Sequence, residues 1–379
     1  MKIIRTSTVP GSINSFCRDL LKELQEKEKY KVIVVSSPGT ALEEIKVREG
    51  VRTYSVSMER HISLFKDLKS LFGLIKVFRK ERPTMVHSIT PKAGLLSMIA
   101  AWICRVPVRL HTFTGLIFPT STGLKQKILI LTDRLTCACA THIVPEGEGV
   151  KQDLQRFNIT KKPLRVLGYG NIKGIDLKRF DPELPEIKKE AAKIQKKKIF
   201  TFIFIGRLVR DKGINELIQA FKRLNKEFPD TRLLLVGGKE QNLDPLESDT
   251  LLEMENNPAI EAVGPQTDVR PWLLASDVFV FPSYREGFPN VVIEAGAMGI
   301  PSIVTDINGS REIIIEGKNG IIIPSHDINS LFDAMVKMLQ DNDQRKIMIS
   351  NARALIVSRY EQTYVRQCLK DYYKELLKV

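Results

Sequence analysis

Two glutamates at the end of a predicted strand are the first candidates for chemistry in this chain. The stretch REGFPNVVIEAGAMG, residues 285–299, places Glu286 and Glu294 eight positions apart, on either side of a Phe-Pro-Asn step. The preceding run DVFVFPS predicts a buried strand, and a helix is predicted to begin near Asn290, with its first N–H groups pointing toward an anion or sugar hydroxyls. A carboxylate in the loop can accept hydrogen bonds from hydroxyls, and Glu294 can reach a vicinal diol such as a ribose. A helix-start acid beside an unrelated surface acid is the alternative interpretation.

A basic turn follows another predicted strand. In FIFIGRLVRDKGINELIQAF (202–221), the strand ends at Gly206, which permits close backbone approach, and a helix opens near Gly213. Arg207 and Lys212 bring two cations to the strand end, and the helix N-terminus adds partial positive charge, so the turn suits a diphosphate. An ordinary strand–helix turn with surface basic residues is the alternative. The patterns GxxxxGK[ST] and GxGxxG of common phosphate-binding loops are both missing from this turn.

The elements that must position these residues alternate between strands and helices in both halves of the chain. Short apolar runs such as KVIVVSS and TRLLLVGG are separated by helical patterns, which predicts doubly wound parallel sheets of the α/β class. The length of 379 residues is too great for one core and indicates two domains, expected at 1–175 and 195–357. We interpret the charged stretch 186–198 as linker and surface helix. Ligands of such sheets bind beyond the carboxyl ends of the strands, so two Rossmann-like domains in tandem predict a ligand held in a cleft between them.

Composition and charge narrow the class of protein. With 43% hydrophobic and 27% charged residues the chain is globular, and it has no apolar run long enough to predict a membrane-spanning helix. The first residues lack a signal-peptide pattern, and five cysteines without framework spacing indicate a reduced, cytosolic protein. Residues 1–170 carry 28 Lys and Arg against 14 Asp and Glu, whereas 171–379 carry 30 of each. The excess positive charge therefore lies in the first half, whose partner is expected to be anionic.

The second half of the chain resembles a known family. The segment EGFPNVVIEAGAMGIPSIVTDINGSREII looks like the signature of the retaining glycosyltransferases of family 4, which have the GT-B fold and carry a glutamate, seven residues and a second glutamate. The segments GRLVRDKGINELIQAF and VGPQTDVRPWLLASDVFVFPS are similar to the same family's diphosphate turn and to the run leading to its motif. The resemblance is strong over about residues 200–330 and looser over 1–180, because the acceptor half varies in that family.

The resemblance implies a role for each part of the motif. Glu294 would bind the ribose of a nucleotide-sugar, and Arg207 and Lys212 would grip its pyrophosphate and stabilise the leaving nucleoside diphosphate, as fixed cations in a closed cleft do best. The donor sugar would be held by Glu286 and by the backbone of Gly287, Phe288, Pro289 and Asn290.

The resemblance also bears on cofactors and mechanism. No essential metal or other cofactor is expected, because the two cations take the metal's place, and the triplet DND at 341–343 is interpreted as a helix start. Retention of anomeric configuration is implied by the resemblance alone, with front-side transfer favoured. The helix at 358–379 is expected to pack back on the first domain.

The first domain is expected to supply the acceptor side of the site. Gly11 and Ser12 follow the first strand and can face the cleft near the donor phosphates. In the resembling family a histidine in this region contacts the donor sugar or the acceptor. His111 ends a strand in RLHTFTGL and is the first candidate, while His87 ends another strand and stays open. His142, beside CACA, is not interpreted as a metal ligand, because the CxC spacing on a helix points the two thiols in different directions.

The segment 62–83 predicts a strongly amphipathic, basic helix. Its apolar positions follow helical spacing, and Lys and Arg occupy much of the remainder: Leu64, Phe65, Leu68, Leu71, Phe72, Ile75 and Phe78 against Lys66, Lys69, Lys76, Arg79 and Lys80. A basic face opposite Phe and Leu suits docking on an anionic membrane surface, and a polyprenyl-diphosphate acceptor would explain both the surface and the cations. A helix that packs on the N-terminal sheet with a solvated basic face is the alternative.

The hypothesis that follows is a retaining glycosyltransferase with a nucleotide-diphospho-sugar donor, uridine being the favoured base on family frequency. It would act on a glycan or lipid-linked acceptor in capsule, O-antigen or exopolysaccharide synthesis, as a cytoplasmic protein peripherally bound to the inner face of the membrane. A nucleic-acid-binding protein is disfavoured, because no such module and no aromatic–basic interleaving occur. A sugar-nucleotide epimerase or a phosphorylase of the same fold is disfavoured by the paired-glutamate loop and by the chain length, respectively.

Overall fold

The chain folds into two α/β units. The computed structural model describes residues 1–59, 63–240 and 244–378. One unit comprises Met1–Gly174 and Thr363–Val379, and the other comprises Ile175–Gln362. Each unit is built around one six-stranded sheet in which every neighbouring pair of strands is parallel.

The first unit begins with a strand and takes its last helix from the far end of the chain. Its strands are β1 (Lys2–Thr6), β2 (Lys31–Ser36), β3 (Arg52–Ser55), β4 (Met85–Ile89), β5 (Val108–Phe113) and β6 (His142–Pro145). Its helices are α1 (Pro10–Phe16), α2 (Leu20–Glu26), α3 (Thr40–Glu49), α4 (Leu64–Glu81), α5 (Pro91–Ile103), α6 (Gly123–Cys139), α7 (Glu148–Arg156) and the final helix α16 (Gln362–Leu377). The strand order is β3-β2-β1-β4-β5-β6.

The second unit repeats the plan. Its strands are β7 (Phe200–Ile205), β8 (Thr231–Val236), β9 (Ile260–Gly264), β10 (Val278–Phe281), β11 (Ser302–Thr305) and β12 (Gly320–Ile323), in the order β12-β11-β10-β7-β8-β9. Its helices are α8 (Pro185–Ile194), α9 (Ile214–Glu227), α10 (Ser248–Asn256), α11 (Arg270–Leu274), α12 (Asn290–Ala297), α13 (Ser310–Ile313), α14 (Ile328–Gln340) and α15 (Asn342–Tyr360). The central strands are almost wholly buried, as their unbroken apolar sequences require.

A buried polar network joins α16 to the first sheet. The Arg5 guanidinium, 2% exposed, donates to the Tyr373 hydroxyl at 2.6 Å, and that hydroxyl lies 2.5 Å from Nδ1 of His87. Arg5 also donates to the Cys17 sulfur at 3.1 Å. Burial and the neighbouring Arg5 charge hold the pKa of His87 well below its usual value, so the imidazole is neutral and accepts from Tyr373. Tyr373 and its apolar neighbours on α16 complete the core on the α1–α3 side of the sheet.

Some elements agree with the sequence-based expectations and others differ. The segment NSFCRDLLKELQEK (14–27), whose apolar residues have the spacing of one helix, is divided between α1 and α2, because Asp19 between them has a left-handed backbone with φ of 61°. The stretch interpreted as linker and surface helix does contain a helix, α8, and Ile187 and Ala191 on that helix are buried in the second unit. Ile62, the first residue of the predicted amphipathic helix, lies outside the described residues. The helix start predicted at DND is confirmed, since Asp341 caps α15 by accepting from the Gln344 N–H.

Candidate functional site

Two loops meet at one edge of the second sheet. The strands β7 and β10 are parallel neighbours, and the strand order reverses between them, so β8 and β9 lie to one side and β11 and β12 to the other. The carboxyl ends of both strands share one edge, and ligands of doubly wound sheets bind at such a reversal. We call residues 206–213, which follow β7, the basic turn, and residues 282–289, which follow β10, the glutamate loop.

An ion pair joins the two loops. The Lys212 ammonium donates to Oε1 of Glu286, although the two residues are 74 positions apart. Their side chains are only 15% and 20% exposed. The Ser283 hydroxyl donates to the same carboxylate oxygen at 3.2 Å, and the ammonium lies 5.6 Å from the centre of the Phe281 ring. The structure therefore brings together one predicted cation and one predicted carboxylate.

The basic turn is shaped by a glycine at its end. Gly213 has φ of +70°, and a side chain there would collide with the carbonyl oxygen of Pro282 in the glutamate loop. This contact brings the two loops close together at the start of α9. Gly206 donates to the Val236 carbonyl at 2.9 Å, which continues the sheet pairing one residue beyond β7. Arg207 is turned elsewhere: its side chain is 59% exposed and pairs with Glu240, so the two predicted cations diverge in this structure.

The remaining predicted donor-binding residues lie where the glutamate loop becomes a helix. Gly287, Phe288 and Pro289 are buried, and Pro289 precedes α12 with an extended backbone. The helix begins at Asn290, which confirms the predicted start. Glu294 follows about one turn into α12 and is half-buried. The first turn of α12 holds no acidic side chain that would offset its partial positive charge.

Side chains that the sequence reasoning missed connect the glutamate loop to the basic turn and α9. The Tyr284 hydroxyl donates to both carboxylate oxygens of Glu216 at 2.6 and 2.7 Å, and burial together with this carboxylate raises the pKa of the phenol. Arg285 pairs with Asp211 at 3.0 Å. The His326 ring lies 3.7 Å from the Tyr284 ring, centre to centre. The only feature of the sequence that could have pointed to Glu216 is its position as an acidic residue in the first turn of α9, next to the basic turn.

The predicted residues of the first unit lie on and beside its sheet. His111, on β5, is 1% exposed, and its Nδ1 lies 2.8 Å from the Ser88 hydroxyl. Its ring fills the space beside Gly94 of α5, where a side chain would collide with it, and burial lowers the pKa of His111 to about 3. A neutral ring enclosed in this way reaches no solvent, so its contact with substrate stays a prediction. Gly11, in α1, is exposed, and no atom lies near the position that a side chain would take.

Residues 1–59, 63–240 and 244–378 contain neither a cluster of metal ligands nor a membrane-spanning helix. Within those ranges no three His, Cys, Asp or Glu side chains are grouped as metal ligands. No helix in the same ranges is long and apolar enough to cross a membrane. Burial raises the pKa of the Cys137 thiol to about 12, and Nδ1 of His142 lies 2.9 Å from the Thr141 hydroxyl.

Known proteins match both units. The family model described as glycosyl transferases group 1 matches residues 185–355, and the glycosyl transferase 4-like domain matches residues 11–170. The capsular polysaccharide biosynthesis glycosyltransferase CapM of Staphylococcus aureus is 33% identical over 100% of this chain and 98% of its own length. The chain belongs to the family 4 glycosyltransferases. The enzyme class predicted from the paired-glutamate motif is thereby confirmed, and the nucleic-acid-binding, epimerase and phosphorylase alternatives are set aside.

Other relatives of this glycosyltransferase cover nearly the whole chain. The UDP-Gal:alpha-D-GlcNAc-diphosphoundecaprenol alpha-1,3-galactosyltransferase of Escherichia coli is 29% identical over 94% of this chain and 92% of its own. Among solved structures, Anabaena HepE in complex with UDP has a TM-score of 0.81 at 16% identity, covering 99% of this chain and 100% of that one. Sucrose-phosphate synthase from Thermosynechococcus elongatus has a TM-score of 0.78 at 20% identity, covering 100% and 99%. These likenesses confirm the predicted GT-B fold class.

Proposed function

We propose that this glycosyltransferase moves a sugar from a nucleotide-diphospho-sugar, with UDP as the nucleotide, to a lipid-linked or glycan acceptor in surface-polysaccharide synthesis, with retention of anomeric configuration. The observation that carries the proposal is the Lys212–Glu286 pair, which lies where the strand order of the second sheet reverses. The names of two relatives support it: one acts in capsular polysaccharide biosynthesis, and the other takes UDP-Gal and a diphosphoundecaprenol-linked acceptor.

The charges at the two loops fit the two parts of such a donor. Lys212 would bind the diphosphate, and Arg207 would join it by leaving Glu240, because an exposed ion pair is weak. Glu286 would accept hydrogen bonds from the sugar, and Glu294 from the ribose. The bond between the anomeric carbon and the β-phosphate oxygen breaks as the acceptor oxygen bonds to the same face of that carbon. The acceptor proton passes to the leaving phosphate, whose growing charge Lys212 stabilises.

Donor hydrolysis in the absence of acceptor tests this proposal. The purified chain is incubated with UDP-, GDP-, ADP- and dTDP-sugars, and the released nucleotide is measured. We expect release from one donor, reduced about 100-fold in Lys212→Ala, the loss typical of removing one transition-state contact. Release should also fall in Glu294→Ala, because the contact with the ribose is lost. Lys226→Ala and Glu255→Ala are matched controls on exposed helix positions and should keep the full rate. A chain that neither releases nor binds any nucleotide would refute the proposal.

We also infer that the first unit docks on an anionic membrane through the outer surface of α4 and α6. The helix α4 changes character along its length: Leu74 and Phe78 in its second half are buried in the core, whereas its first half exposes Phe65, Leu68 and Phe72 by 90%, 52% and 67%. These three residues are spaced by three and four positions, so they share one face. The second half of α4 therefore packs in the core, as the alternative interpretation of this helix expected, whereas the first half leaves its apolar face exposed.

A second apolar stripe, which the sequence reasoning did not identify, supports the same surface. On α6 the exposed apolar residues recur at helical spacing: Leu124, Ile128, Leu131 and Leu135. The helix α5 contacts both α4 and α6, so the two stripes lie on one side of the sheet. Exposed lysines stand beside them, among them Lys69, Lys76, Lys125 and Lys127. Apolar stripes flanked by cations suit the headgroup region of an anionic bilayer, where each cation contributes about 1 kcal/mol.

Vesicle binding tests the docking surface. We expect the chain to sediment with phosphatidylglycerol vesicles at low salt and much less with phosphatidylcholine vesicles. The triple variant Phe65→Gln, Leu68→Gln, Phe72→Gln should lose this binding while it keeps donor hydrolysis. A control with Leu252→Gln and Ile347→Gln removes exposed apolar residues of the second unit and should bind as the parent does. Equal sedimentation with both kinds of vesicle, or an unaffected triple variant, would contradict the inference.

A further inference from the structure

We propose that Tyr284, Glu216, Asp211 and Arg285 are positioning residues that hold Glu286 against Lys212. The proposal rests on the proposed function of that ion pair in donor binding. These four side chains form two contacts of their own, Tyr284 with Glu216 and Arg285 with Asp211, and neither contact includes Lys212 or Glu286. They therefore act through the backbone of the two loops and not on the reacting atoms.

Consecutive residues of the glutamate loop are tied to one short segment. The Ser283 hydroxyl and the Tyr284 N–H both donate to the Asp211 carbonyl, at 3.4 and 3.0 Å. The next residue, Arg285, pairs with the Asp211 side chain. Asp211 directly precedes Lys212, just as Arg285 directly precedes Glu286. The two loops are thus joined residue by residue, and this pairing sets the separation between the ammonium and the carboxylate.

The Tyr284–Glu216 contact holds the loop on its outer side. A hydroxyl that donates to an ionised carboxylate forms a strong hydrogen bond, and Glu216 lies in the first turn of α9, immediately after the basic turn. Its side chain is 17% exposed, so water competes weakly for the contact. The His326 ring packs against the Tyr284 ring, and His326 has a left-handed backbone with φ of 61°.

The role in positioning is separable from a role in stability. Neither Tyr284 nor Glu216 belongs to the hydrophobic core of the second unit. Removal of the Tyr284 hydroxyl leaves the ring on His326 and creates no cavity in that core. Loss of this one contact should therefore loosen the glutamate loop without unfolding the unit.

Three variants of the full chain test the proposal: Tyr284→Phe, Glu216→Ala and Glu216→Gln. The first readout is hydrogen–deuterium exchange of peptides covering 283–289, which needs no substrate. The second is donor hydrolysis, with the affinity for nucleoside diphosphate and the melting temperature measured beside it. Tyr30→Phe deletes a hydroxyl in the first unit and serves as the matched control.

We expect faster exchange in the glutamate loop and a kcat about tenfold lower in Tyr284→Phe and Glu216→Ala, the change expected for one lost hydrogen bond. The melting temperature should stay near that of the parent, and the nucleotide affinity should not weaken, because a looser glutamate loop releases Lys212 from Glu286. Glu216→Gln should recover most of the rate, because its amide oxygen still accepts from Tyr284, and the double variant Tyr284→Phe, Glu216→Ala should be no slower than either single one.

Unchanged exchange at 283–289 in both deletion variants would overturn the proposal. So would a loss of rate that follows the melting temperature, or a Glu216→Gln variant as slow as Glu216→Ala, since either result describes general destabilisation or a charge effect. If the parent neither hydrolyses a donor nor binds any nucleotide, the proposed function fails by itself. The exchange data then still decide whether these residues hold the loop.

Discussion

Replacing Glu286 by glutamine removes the negative charge of the Lys212–Glu286 ion pair and keeps a side chain of nearly the same size. Two opposite charges about 4 Å apart attract each other by about 4 kcal/mol at an effective dielectric constant of about 20. Because the Lys212 and Glu286 side chains are 15% and 20% exposed, water screens part of this attraction, and we expect about 1–2 kcal/mol to remain. In the ligand-free protein this energy competes with a diphosphate for the Lys212 ammonium.

The Glu286→Gln variant should therefore bind nucleoside diphosphate about 5–30-fold more tightly than the parent, since about 1.4 kcal/mol corresponds to a tenfold change. Its turnover of the nucleotide-sugar should fall, because a neutral amide accepts hydrogen bonds from sugar hydroxyls more weakly than a carboxylate does. Titration calorimetry with UDP measures the affinity, and nucleotide release from the donor that the parent hydrolyses measures the turnover. Glu255→Gln is the surface control. An affinity for UDP that is unchanged or weaker in Glu286→Gln would refute the reasoning.

The other predictions concern buried titratable groups and are measured by urea unfolding at several pH values. Burial raises the pKa of Asp133 to about 7, so this carboxylate lowers stability as the pH rises from about 4 to 7. Asp133→Asn should then raise the free energy of unfolding by about 1–4 kcal/mol at pH 8 and leave it unchanged at pH 4. Burial depresses the pKa of His111 to about 3, and the stability present above pH 6.5 should be lost as the pH falls, by up to about 1.4 kcal/mol per pH unit. Because Asp133 acts in the opposite direction over the same range, the measure is the difference in unfolding free energy between the parent and His111→Asn, and a difference that stays constant from pH 6 to 4 would contradict this. Tyr373→Phe removes the hydroxyl shared by Arg5 and His87 and should cost about 1–3 kcal/mol, with Tyr372→Phe as the milder control.

The boundaries of the candidate site could be predicted because they are encoded locally. An apolar run followed by glycine and proline marks the end of β10, and small residues from Asn290 onward mark α12. The pairing of Lys212 with Glu286 could not be predicted in this way. It depends on β7 lying beside β10, which is a property of the strand order and not of either segment.

The placement of His111 shows a second limit of sequence reasoning. The residue was expected at a strand end, but β5 continues to Phe113 and the imidazole points toward α5. A residue inside the strand is covered by the helix that packs on the sheet, as His111 is by α5, whereas a residue beyond the strand end can be accessible. An error of two residues in the position of the strand end therefore decides between a buried group and an accessible one. The contacts of Tyr284 with Glu216 and of Arg285 with Asp211 could not be predicted, because the sequence of a turn does not show which of its polar side chains face each other.

The return of α16 to the first unit makes the order of synthesis matter. Arg5 is synthesised before the second unit, whereas the Tyr373 hydroxyl to which its guanidinium donates is synthesised after the whole of Ile175–Gln362. Until then the α1–α3 side of the sheet lacks Leu369, Tyr373 and Leu377, and a buried cation lacks its hydroxyl. The second unit, which is continuous in sequence, can complete its own core first. The helix α16 therefore completes the core of the first unit only after the second unit has been synthesised.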